Sequence, residues 1–186
     1  MTHSGKTYVL TGVSSGVGAA VAADLAARGA RVIGIDRVEP KAAVAGFYRC
    51  DLTDPAQIDA TVAAISGPID GLVNIAGVPG SLPVETVVKV NYLAVRRMTE
   101  ALLPRLSDFG AVVNVASTAG ANWRARADLV RSLIAVEGWE AGLKHFLGFE
   151  PTEQDFADAR AMLVGLRCES LIEKPFGVLS QGERQQ

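Results

Sequence analysis

The amino-acid sequence predicts an α/β fold built on a parallel sheet with helices on both of its faces. Over the first 117 residues, short runs rich in β-branched side chains alternate with longer helical patterns. These runs are apolar at most positions, which is typical of strands buried on both faces of a parallel sheet. Hydrophobic residues make up 49% of the 186-residue chain and charged residues 20%, a composition that allows a sizeable buried core.

The predicted elements follow one another in a regular order. Five strands are predicted, over residues 8–10, 31–35, 46–50, 71–74 and 111–115. Three helices are predicted between them, over residues 17–28, from residue 54 onwards, and from Glu85 to Leu106. Asp54 can cap the second helix, Pro55 suits its first position and Gln57 can reach back to the cap. Right-handed crossovers then give the strand order 3-2-1-4-5, a Rossmann-like doubly wound sheet that is incomplete.

The residues after Gly120 follow a helical pattern. We predict a helix over residues 124–146, in which Trp139 starts a second piece, and a further helix over residues 152–164. No pattern typical of a sixth strand precedes Gln186. The predicted organisation is a sheet domain over residues 1–120, a helical insert over 121–147 and a helical tail over 148–186.

Charge, hydropathy and cysteine content argue against several classes of partner. The formal net charge is −2 and no cluster of Lys and Arg is present, which argues against a nucleic-acid or anionic membrane surface as the main partner. No run approaches the ~20 apolar residues of a membrane span. Cys50 and Cys168 lack metal-ligand or redox-motif spacing and are interpreted as free thiols in a reducing cytosol. We therefore expect a cytoplasmic protein without a metal site.

A glycine-rich turn joins the first predicted strand to the first helix. In the segment Thr11-Gly12-Val13-Ser14-Ser15-Gly16-Val17-Gly18, each glycine has a distinct use. Gly12 permits the tight turn, Gly16 lets the backbone approach a pyrophosphate, and Gly18 lets the helix pack on the strand. The helix N-terminus offers its N–H groups to phosphates. The segment predicts a dinucleotide site, with an ordinary glycine-rich turn as the alternative; its other candidate contacts are Ser14, Ser15 and Val17.

An acidic residue at the end of the second strand supports the dinucleotide interpretation. Asp36 follows Gly18 by 18 residues, at a position where a carboxylate can accept hydrogen bonds from the adenosine ribose. Because this carboxylate would repel a 2′-phosphate, the predicted cofactor is NAD(H) rather than NADP(H). Arg37 is the counter-argument, since its guanidinium could pair with that phosphate, although it could equally be an exposed loop charge.

These features together resemble the short-chain dehydrogenase/reductase family. The Thr-Gly-x-x-x-Gly-x-Gly spacing is similar to that of the family, and later segments agree with it in order. Those segments are Cys50-Asp51-Leu52, Asn74-Ile75-Ala76-Gly77, Val90-Asn91-Tyr92 and Val113-Asn114-Val115-Ala116-Ser117. The resemblance covers roughly residues 6–145. Within the family it is closest to bacterial 3α-hydroxysteroid dehydrogenase/carbonyl reductases, which also carry a helical insert after the serine.

The resemblance implies a role for each matching residue. Asp51 and Leu52 would lie beside the adenine ring, whereas Asn74, Ala76 and Gly77 would end the fourth strand at the cofactor. Ser117 would hydrogen-bond the substrate oxygen, and Asn91 would hold a water in a proton relay. The implied substrate is a secondary alcohol or ketone, with hydroxysteroids included. Each residue also has a structural alternative: Asp51 can cap a turn, Asn91 can lie on a helix surface and Ser117 can close a strand.

The family's catalytic Tyr-x-x-x-Lys is absent. The three tyrosines, Tyr8, Tyr48 and Tyr92, all precede Ser117, and none is followed by a lysine at the fourth position. We therefore expect NAD(H) binding with impaired catalysis, or a dinucleotide-binding module without catalysis. We also expect one face of the fifth strand and of the helix from Glu85 to Leu106 to be exposed, and a homo-oligomer would form through that helix.

The last eight residues resemble a different family. Leu179-Ser180-Gln181-Gly182-Glu183-Arg184-Gln185-Gln186 is similar to the signature motif of ABC-type ATPases, in which Ser180 and Gly182 would touch the γ-phosphate of ATP. A polar loop is the alternative, and no Gly-x-x-x-x-Gly-Lys-Ser/Thr phosphate loop occurs. An ABC-type ATPase fragment is therefore the last-ranked function. The two incomplete patterns suggest a junction of two coding segments between about Gly138 and Glu150.

Overall fold

The computed structural model of the protein describes residues 2–117, 120 and 123–148. Within them, five parallel strands form one sheet in the order β3-β2-β1-β4-β5. The strands are β1 Thr7–Thr11, β2 Arg31–Asp36, β3 Gly46–Arg49, β4 Ile69–Asn74 and β5 Leu106–Asn114. The predicted Rossmann-like sheet and its strand order are confirmed. The predicted helix over residues 152–164 and the segment resembling an ABC signature, with Ser180 and Gly182, lie outside the described residues.

The central strands of the sheet, β1 and β2, are buried on both faces because they are apolar at consecutive positions. On one face, Leu10 and Val32 pack against Ala22 of helix α1, which spans Gly16–Ala27. The intervening residues Val9 and Ile33 are also buried, at 0% and 2% exposure, so the opposite face is covered as well. This two-sided burial is what the near-continuous apolar runs of the sequence predict.

Helix α2, Pro55–Ala64, begins as its sequence predicts. The Asp54 carboxylate accepts a hydrogen bond from Ala56 N at 2.9 Å, and Pro55 occupies the first helical position. Gln57 reaches back and donates from Nε2 to Asp54 Oδ2 at 3.0 Å. The bond from Ala56 N satisfies a donor that the first turn of a helix otherwise leaves without a partner, and the bond from Gln57 holds the Asp54 carboxylate in place.

The helix predicted from Glu85 to Leu106 is confirmed as a helical segment without a gap, although it contains a π-helical turn and ends one residue earlier than predicted. The structure has α3 at Val84–Val88, a π-helical turn at Lys89–Ala94, α4 at Val95–Leu102 and a 3₁₀ turn at Leu103–Arg105. Pro104 lies in the 3₁₀ turn. The Arg105 guanidinium donates to the carbonyl of Val62 in the last turn of α2 and to the carbonyls of Ile65 and Gly67 beyond that helix. Leu106 therefore belongs to the next strand, where it pairs with Ile69.

Strand β5 lies at the edge of the sheet that the described residues form, and it starts earlier than predicted. Leu106 pairs with Ile69 of β4, and the next β5 residue that pairs with β4 is Ala111, opposite Gly71. The β5 residues between Leu106 and Ala111 therefore form an irregular bulge. Phe109 lies in this bulge and is 96% exposed. The predicted strand over residues 111–115 corresponds to the regular part of β5. The expected exposure of β5 is confirmed, since Val113 in the strand and Val115 directly after it are 50% and 52% exposed.

The described residues group into two compact units. The first comprises residues 2–77 and 89–116 and contains the sheet; the second comprises residues 78–88 together with the described residues from 117 to 148. In the second unit, a 3₁₀ turn at Trp123–Arg126 precedes α5, Ala127–Ala135, and α6, Trp139–Leu147. The predicted break before Trp139 is confirmed. Among these residues, no helix combines the length and the hydropathy that a membrane span requires.

Candidate functional site

The glycine-rich turn between β1 and α1 is closely packed at two of its three glycines. A Cβ on Gly12 would lie 2.8 Å from Ala76 N and Cα, and the backbone there has a φ of +77°. A Cβ on Gly18 would lie 1.9 Å from Gly12 O. Both positions therefore exclude any side chain, and the turn, the first turn of α1 and the end of β4 pack backbone against backbone.

The third glycine and its neighbours face open space. Gly16 has a φ of +54°, and nothing described lies within 4 Å of the Cβ position. Val17 is 61% exposed although it is apolar. At the start of α1, Ser15 makes no side-chain capping bond and the first turn carries no acidic residue. The chemistry of this donor set fits an anionic phosphate, because the first N–H groups of a helix have no partner within the helix.

Asp36 lies directly beside this turn. Its Oδ2 accepts a hydrogen bond from Ser14 N at 2.9 Å, and its Oδ1 accepts one from Val38 N at 3.2 Å. The neighbouring Arg37 is exposed, and its carbonyl accepts a hydrogen bond from Arg49 Nη1 at 3.0 Å. The structure thus brings the predicted acid and the glycine-rich turn together, with two arginines at the same strand ends.

Thr11 holds the walls of the candidate site together, and the sequence reasoning did not single it out as a site residue. Its buried hydroxyl accepts hydrogen bonds from Ile75 N at 3.0 Å and Ala76 N at 3.1 Å. These bonds tie the end of β1 to the loop after β4 and so fix the two walls that meet at Gly12. The sequence could have indicated this role, because Thr11 is the first residue of the Thr-Gly motif.

The Asn74 side chain turns away from the glycine-rich turn. Its Nδ2 donates to Thr99 Oγ1 at 3.1 Å and to Asn114 Oδ1 at 2.8 Å, and the residue is 3% exposed. Its Oδ1 is buried and has no hydrogen-bond partner among the described residues. Asn74 therefore links β4, α4 and β5. The residues that continue the predicted segment, Ala76 and Gly77, are half-buried and exposed, respectively.

The Asp51 side chain caps a turn, which is the structural alternative to its predicted place beside the adenine ring. Its Oδ1 accepts hydrogen bonds from Thr53 N at 2.9 Å and Thr53 Oγ1 at 2.8 Å. Leu52 is 8% exposed and belongs to the core. In the same loop, burial raises the pKa of the Cys50 thiol, against a hydrogen bond with Thr61 that lowers it. The thiol is therefore un-ionised at neutral pH.

Asn91 lies in the π-helical turn and is exposed. A Cβ atom added to Gly77 would lie 3.5 Å from Asn91 Oδ1. The Asn91 amide is therefore close to the residues that follow β4. The adjacent Tyr92 interacts with Arg96, whose pKa is raised by the Glu100 carboxylate and, to a smaller extent, by the Tyr92 phenol. π-Helical turns are frequent at functional sites.

Ser117 belongs to the second unit and is exposed. Its carbonyl accepts a hydrogen bond from Gly120 N at 3.0 Å. In the described ranges, no group of three or more His, Cys, Asp or Glu side chains could hold a metal ion.

Residues 6–128, more than half of the chain, match the family model described as short chain dehydrogenase. The chain belongs to the short-chain dehydrogenase family. The family assignment agrees with the geometry, since the matched range includes the glycine-rich turn, Asp36, the end of β4 and the π-helical turn.

The chain matches only part of the length of individual short-chain dehydrogenases. It is 44% identical to a coniferyl-alcohol dehydrogenase of Pseudomonas sp. (strain HR199 / DSM 7063), over 76% of this chain and 56% of the relative. It is 36% identical to a D-threitol dehydrogenase of Mycolicibacterium smegmatis, over 62% of this chain and 54% of the relative. The chain therefore spans about half the length of these curated relatives.

A solved structure agrees with the fold. The crystal structure of 2-keto-3-deoxy-D-gluconate dehydrogenase from Streptococcus agalactiae superposes with a TM-score of 0.52 at 26% identity. The superposition covers 62% of this short-chain dehydrogenase and 53% of the other chain.

Proposed function

We propose that this short-chain dehydrogenase binds NAD(H) at the glycine-rich turn, with the adenosine ribose at Asp36. The observation that carries the proposal is the 2.9 Å hydrogen bond from Ser14 N to Asp36 Oδ2, which holds a carboxylate beside the turn. A carboxylate in this position accepts hydrogen bonds from ribose hydroxyls and repels a 2′-phosphate. The other proposed contacts are Gly12, Ser15, Gly16, Val17, Gly18, Asp51, Leu52, Ala76 and Gly77, with Asn74 holding the end of β4.

The choice between NAD(H) and NADP(H) depends on three charges. The Asp36 carboxylate favours NAD(H), whereas the guanidinium groups of Arg37 and Arg49 would favour a 2′-phosphate. Both Asp36 oxygens are already fixed by backbone N–H groups, so the negative charge is held in place. The test is a fluorescence titration of the full chain with NADH and with NADPH. Tighter binding of NADPH would overturn the specificity, and binding of neither would overturn the site.

The reaction that the family favours is the interconversion of an alcohol and a carbonyl compound. When bound, NAD⁺ would accept the hydride. Exposed Ser117 would hydrogen-bond the substrate oxygen, and Asn91 would hold a water beside the end of β4. The proposed substrate class is a secondary alcohol or its ketone. Hydroxysteroids are included because of the resemblance of the helical insert, and the relatives named for coniferyl alcohol and D-threitol also support a hydroxyl-bearing small molecule.

We expect this reaction to be slow. General acid–base catalysis contributes about 10² to 10⁴ in rate, and the 186 residues contain no Tyr-x-x-x-Lys to supply it. Tyr92 is no substitute, because it precedes Ser117, lies in the π-helical turn that carries Asn91 and is followed at the fourth position by Arg96 rather than by a lysine. A dinucleotide-binding module without catalysis is therefore the second proposal. An alcohol-oxidation assay with NAD⁺ separates the two. Measurable turnover that is lost in Ser117→Ala would show that the missing tyrosine is not limiting.

The chimeric origin of the chain is a separate proposal. It rests on the ABC-like motif at residues 179–186, which follows a segment belonging to another family. Intact mass and the nucleotide sequence across residues 138–150 test it. If a single frameshift in the same gene yields a reading frame with Tyr-x-x-x-Lys, the result favours a frameshift or assembly fault over a true fusion.

A further inference from the structure

The peptide group between Arg37 and Val38 lies directly after Asp36, beyond the end of β2. Its N–H donates to Asp36 Oδ1 with an N–O distance of 3.2 Å, and its carbonyl accepts a hydrogen bond from Arg49 Nη1 at 3.0 Å. The N–H and C=O of a trans peptide group lie in one plane and point in opposite directions. This one group therefore connects the Arg49 guanidinium to the Asp36 carboxylate.

Strand pairing fixes the backbone of the two residues whose side chains hold this peptide group. Asp36 and Arg49 are register partners in the parallel strands β2 and β3, and Cys50 N donates to Asp36 O at 3.0 Å. On the other side of β2, Gly12 N donates to Ile35 O at 2.9 Å. The peptide group itself lies beyond these pairs, so the two side chains set its orientation.

The charges at the two ends favour one orientation of the peptide group. The positive guanidinium faces the carbonyl oxygen, the negative end of the peptide dipole, and the negative carboxylate faces the N–H, its positive end. Hydrogen bonds to charged groups are stronger than those between neutral groups, and linked hydrogen bonds polarise one another. In a reversed peptide group, the carbonyl would face the Asp36 carboxylate and the N–H would face the Arg49 guanidinium. Because both of those contacts are repulsive, Arg49 excludes the orientation that would remove a donor from Asp36.

We propose that Arg49 is a positioning residue of the NAD(H) site. By holding the carbonyl of Arg37, it keeps Val38 N directed at Asp36, and so keeps the carboxylate in place beside Ser14. The inference rests on the proposed function, in which Asp36 accepts hydrogen bonds from the ribose. It also reverses the effect of the Arg49 charge taken alone. A cation beside the ribose favours a 2′-phosphate, whereas this hydrogen bond supports the carboxylate that repels one.

The first experiment measures amide hydrogen exchange at Val38 in the full chain without a cofactor. Arg49→Met removes the donor to the Arg37 carbonyl, so exchange at Val38 should be at least about threefold faster than in the wild-type chain. Loss of a nearby positive charge alone would slow this exchange, because hydroxide catalyses it at neutral pH. Arg37→Met is the matched control, since it removes an equal charge and keeps the carbonyl; exchange at Val38 should not become faster in it. If Arg49→Met does not accelerate exchange at Val38, the inference is overturned, whether or not the chain binds a dinucleotide.

The second experiment is a fluorescence titration of the same variants with NADH. Arg49→Met should weaken NADH binding about threefold to tenfold, the range expected for the loss of one hydrogen bond. In the Asp36→Ala background the same substitution should have little further effect, because the carboxylate through which Arg49 acts is already gone. An equal effect in both backgrounds would mean that the guanidinium contacts the cofactor itself. Unchanged NADH binding in Arg49→Met would mean that Asp36 does not depend on Arg49, and either result overturns the inference.

Failure of the proposed function gives a different pattern of results. If the wild-type chain binds neither NADH nor NADPH while Arg49→Met accelerates exchange at Val38, the NAD(H) site is rejected and the control of Asp36 by Arg49 is supported. Urea unfolding establishes that each variant is folded. Because Arg49 is exposed at the end of β3, its substitution should change the unfolding midpoint little.

Discussion

Asp36 and Ser14 are joined by a 2.9 Å hydrogen bond from the Ser14 amide to the Asp36 carboxylate. The bond connects the end of β2 to the turn that follows β1, and so fixes a negative charge next to the start of α1. Two segments 22 residues apart in sequence thereby form one surface. The position of this charge controls which dinucleotide the surface can accept.

Substitution of Asp36 is expected to change the cofactor preference. Asp36→Asn keeps an acceptor for Ser14 N and removes the charge, so NADH should bind about tenfold more weakly and NADPH more tightly. Asp36→Ala should weaken NADH further, because it also leaves the Ser14 amide without its partner. Both affinities are measured by fluorescence titration. Unchanged NADH affinity in both variants would place the ribose elsewhere.

Gly18→Ala is expected to damage the fold and the cofactor site together. Its Cβ would lie 1.9 Å from Gly12 O, so the turn has to move away from α1. Overpacking of this kind costs about 1–3 kcal/mol in the free energy of unfolding. The matched control is Gly46→Ala in β3, where nothing described lies within 4 Å of the Cβ position. Gly18→Ala should unfold at a lower urea concentration than Gly46→Ala and should bind NADH more weakly. Equal unfolding midpoints for the two variants would mean that the turn adapts to the added methyl group without cost.

Thr11→Val tests the connection between β1 and the end of β4. Valine has nearly the same shape but leaves Ile75 N and Ala76 N without their acceptor. A buried donor without a partner costs about 1–3 kcal/mol, so we expect a loss of stability in this range and faster amide exchange at Ile75 and Ala76. Thr11→Ser keeps the hydroxyl and is the control. Slow exchange in Thr11→Val would show that other groups hold the loop.

The sequence predicted the parts of this molecule that depend on local patterns. The alternation of apolar strands and helices specifies the sheet order, and Asp54 with Gln57 specifies the start of α2. The bulge in β5 was missed because it reflects how Leu106 and Ala111 pair with β4, a non-local property. The direction of Asn74 was missed for the same reason, since both of its partners lie at least 25 residues away.

The stability of the sheet is expected to depend on pH through Asp70. Its carboxylate accepts hydrogen bonds from Lys6 Nζ at 2.7 Å, Thr7 N at 2.9 Å and Ser107 Oγ at 3.1 Å. The Lys6 ammonium, followed by the Thr7 amide, lowers the pKa of this carboxyl. Because the folded pKa lies below the unfolded value of about 3.9, the stabilisation is complete above that value and is lost as the pH falls through the folded pKa.

The measurement compares the wild-type chain with Asp70→Asn by urea unfolding at several pH values. The difference in unfolding free energy should be constant near neutral pH and should shrink below about pH 4. Asp24→Asn is the matched control, because the Asp24–Arg28 pair is exposed and its attraction is screened by solvent. If the difference in unfolding free energy between the wild-type chain and Asp70→Asn does not change with pH, the charge of the Asp70 carboxylate does not cause the stabilisation.

Self-association is expected to involve the exposed apolar residues of β5. Val113 in β5 and Val115 directly after it are each about half exposed at the edge of the described sheet, and exposed apolar residues at a sheet edge favour association. Val113→Lys should therefore lower the apparent mass in sedimentation velocity experiments at high protein concentration. Leu103→Lys is the comparison, because Leu103 is 56% exposed at the end of α4, in the helical segment for which an oligomer contact was predicted. If Leu103→Lys disperses the oligomer and Val113→Lys does not, the helical segment forms the contact instead; a monomer in the wild-type chain would exclude both surfaces.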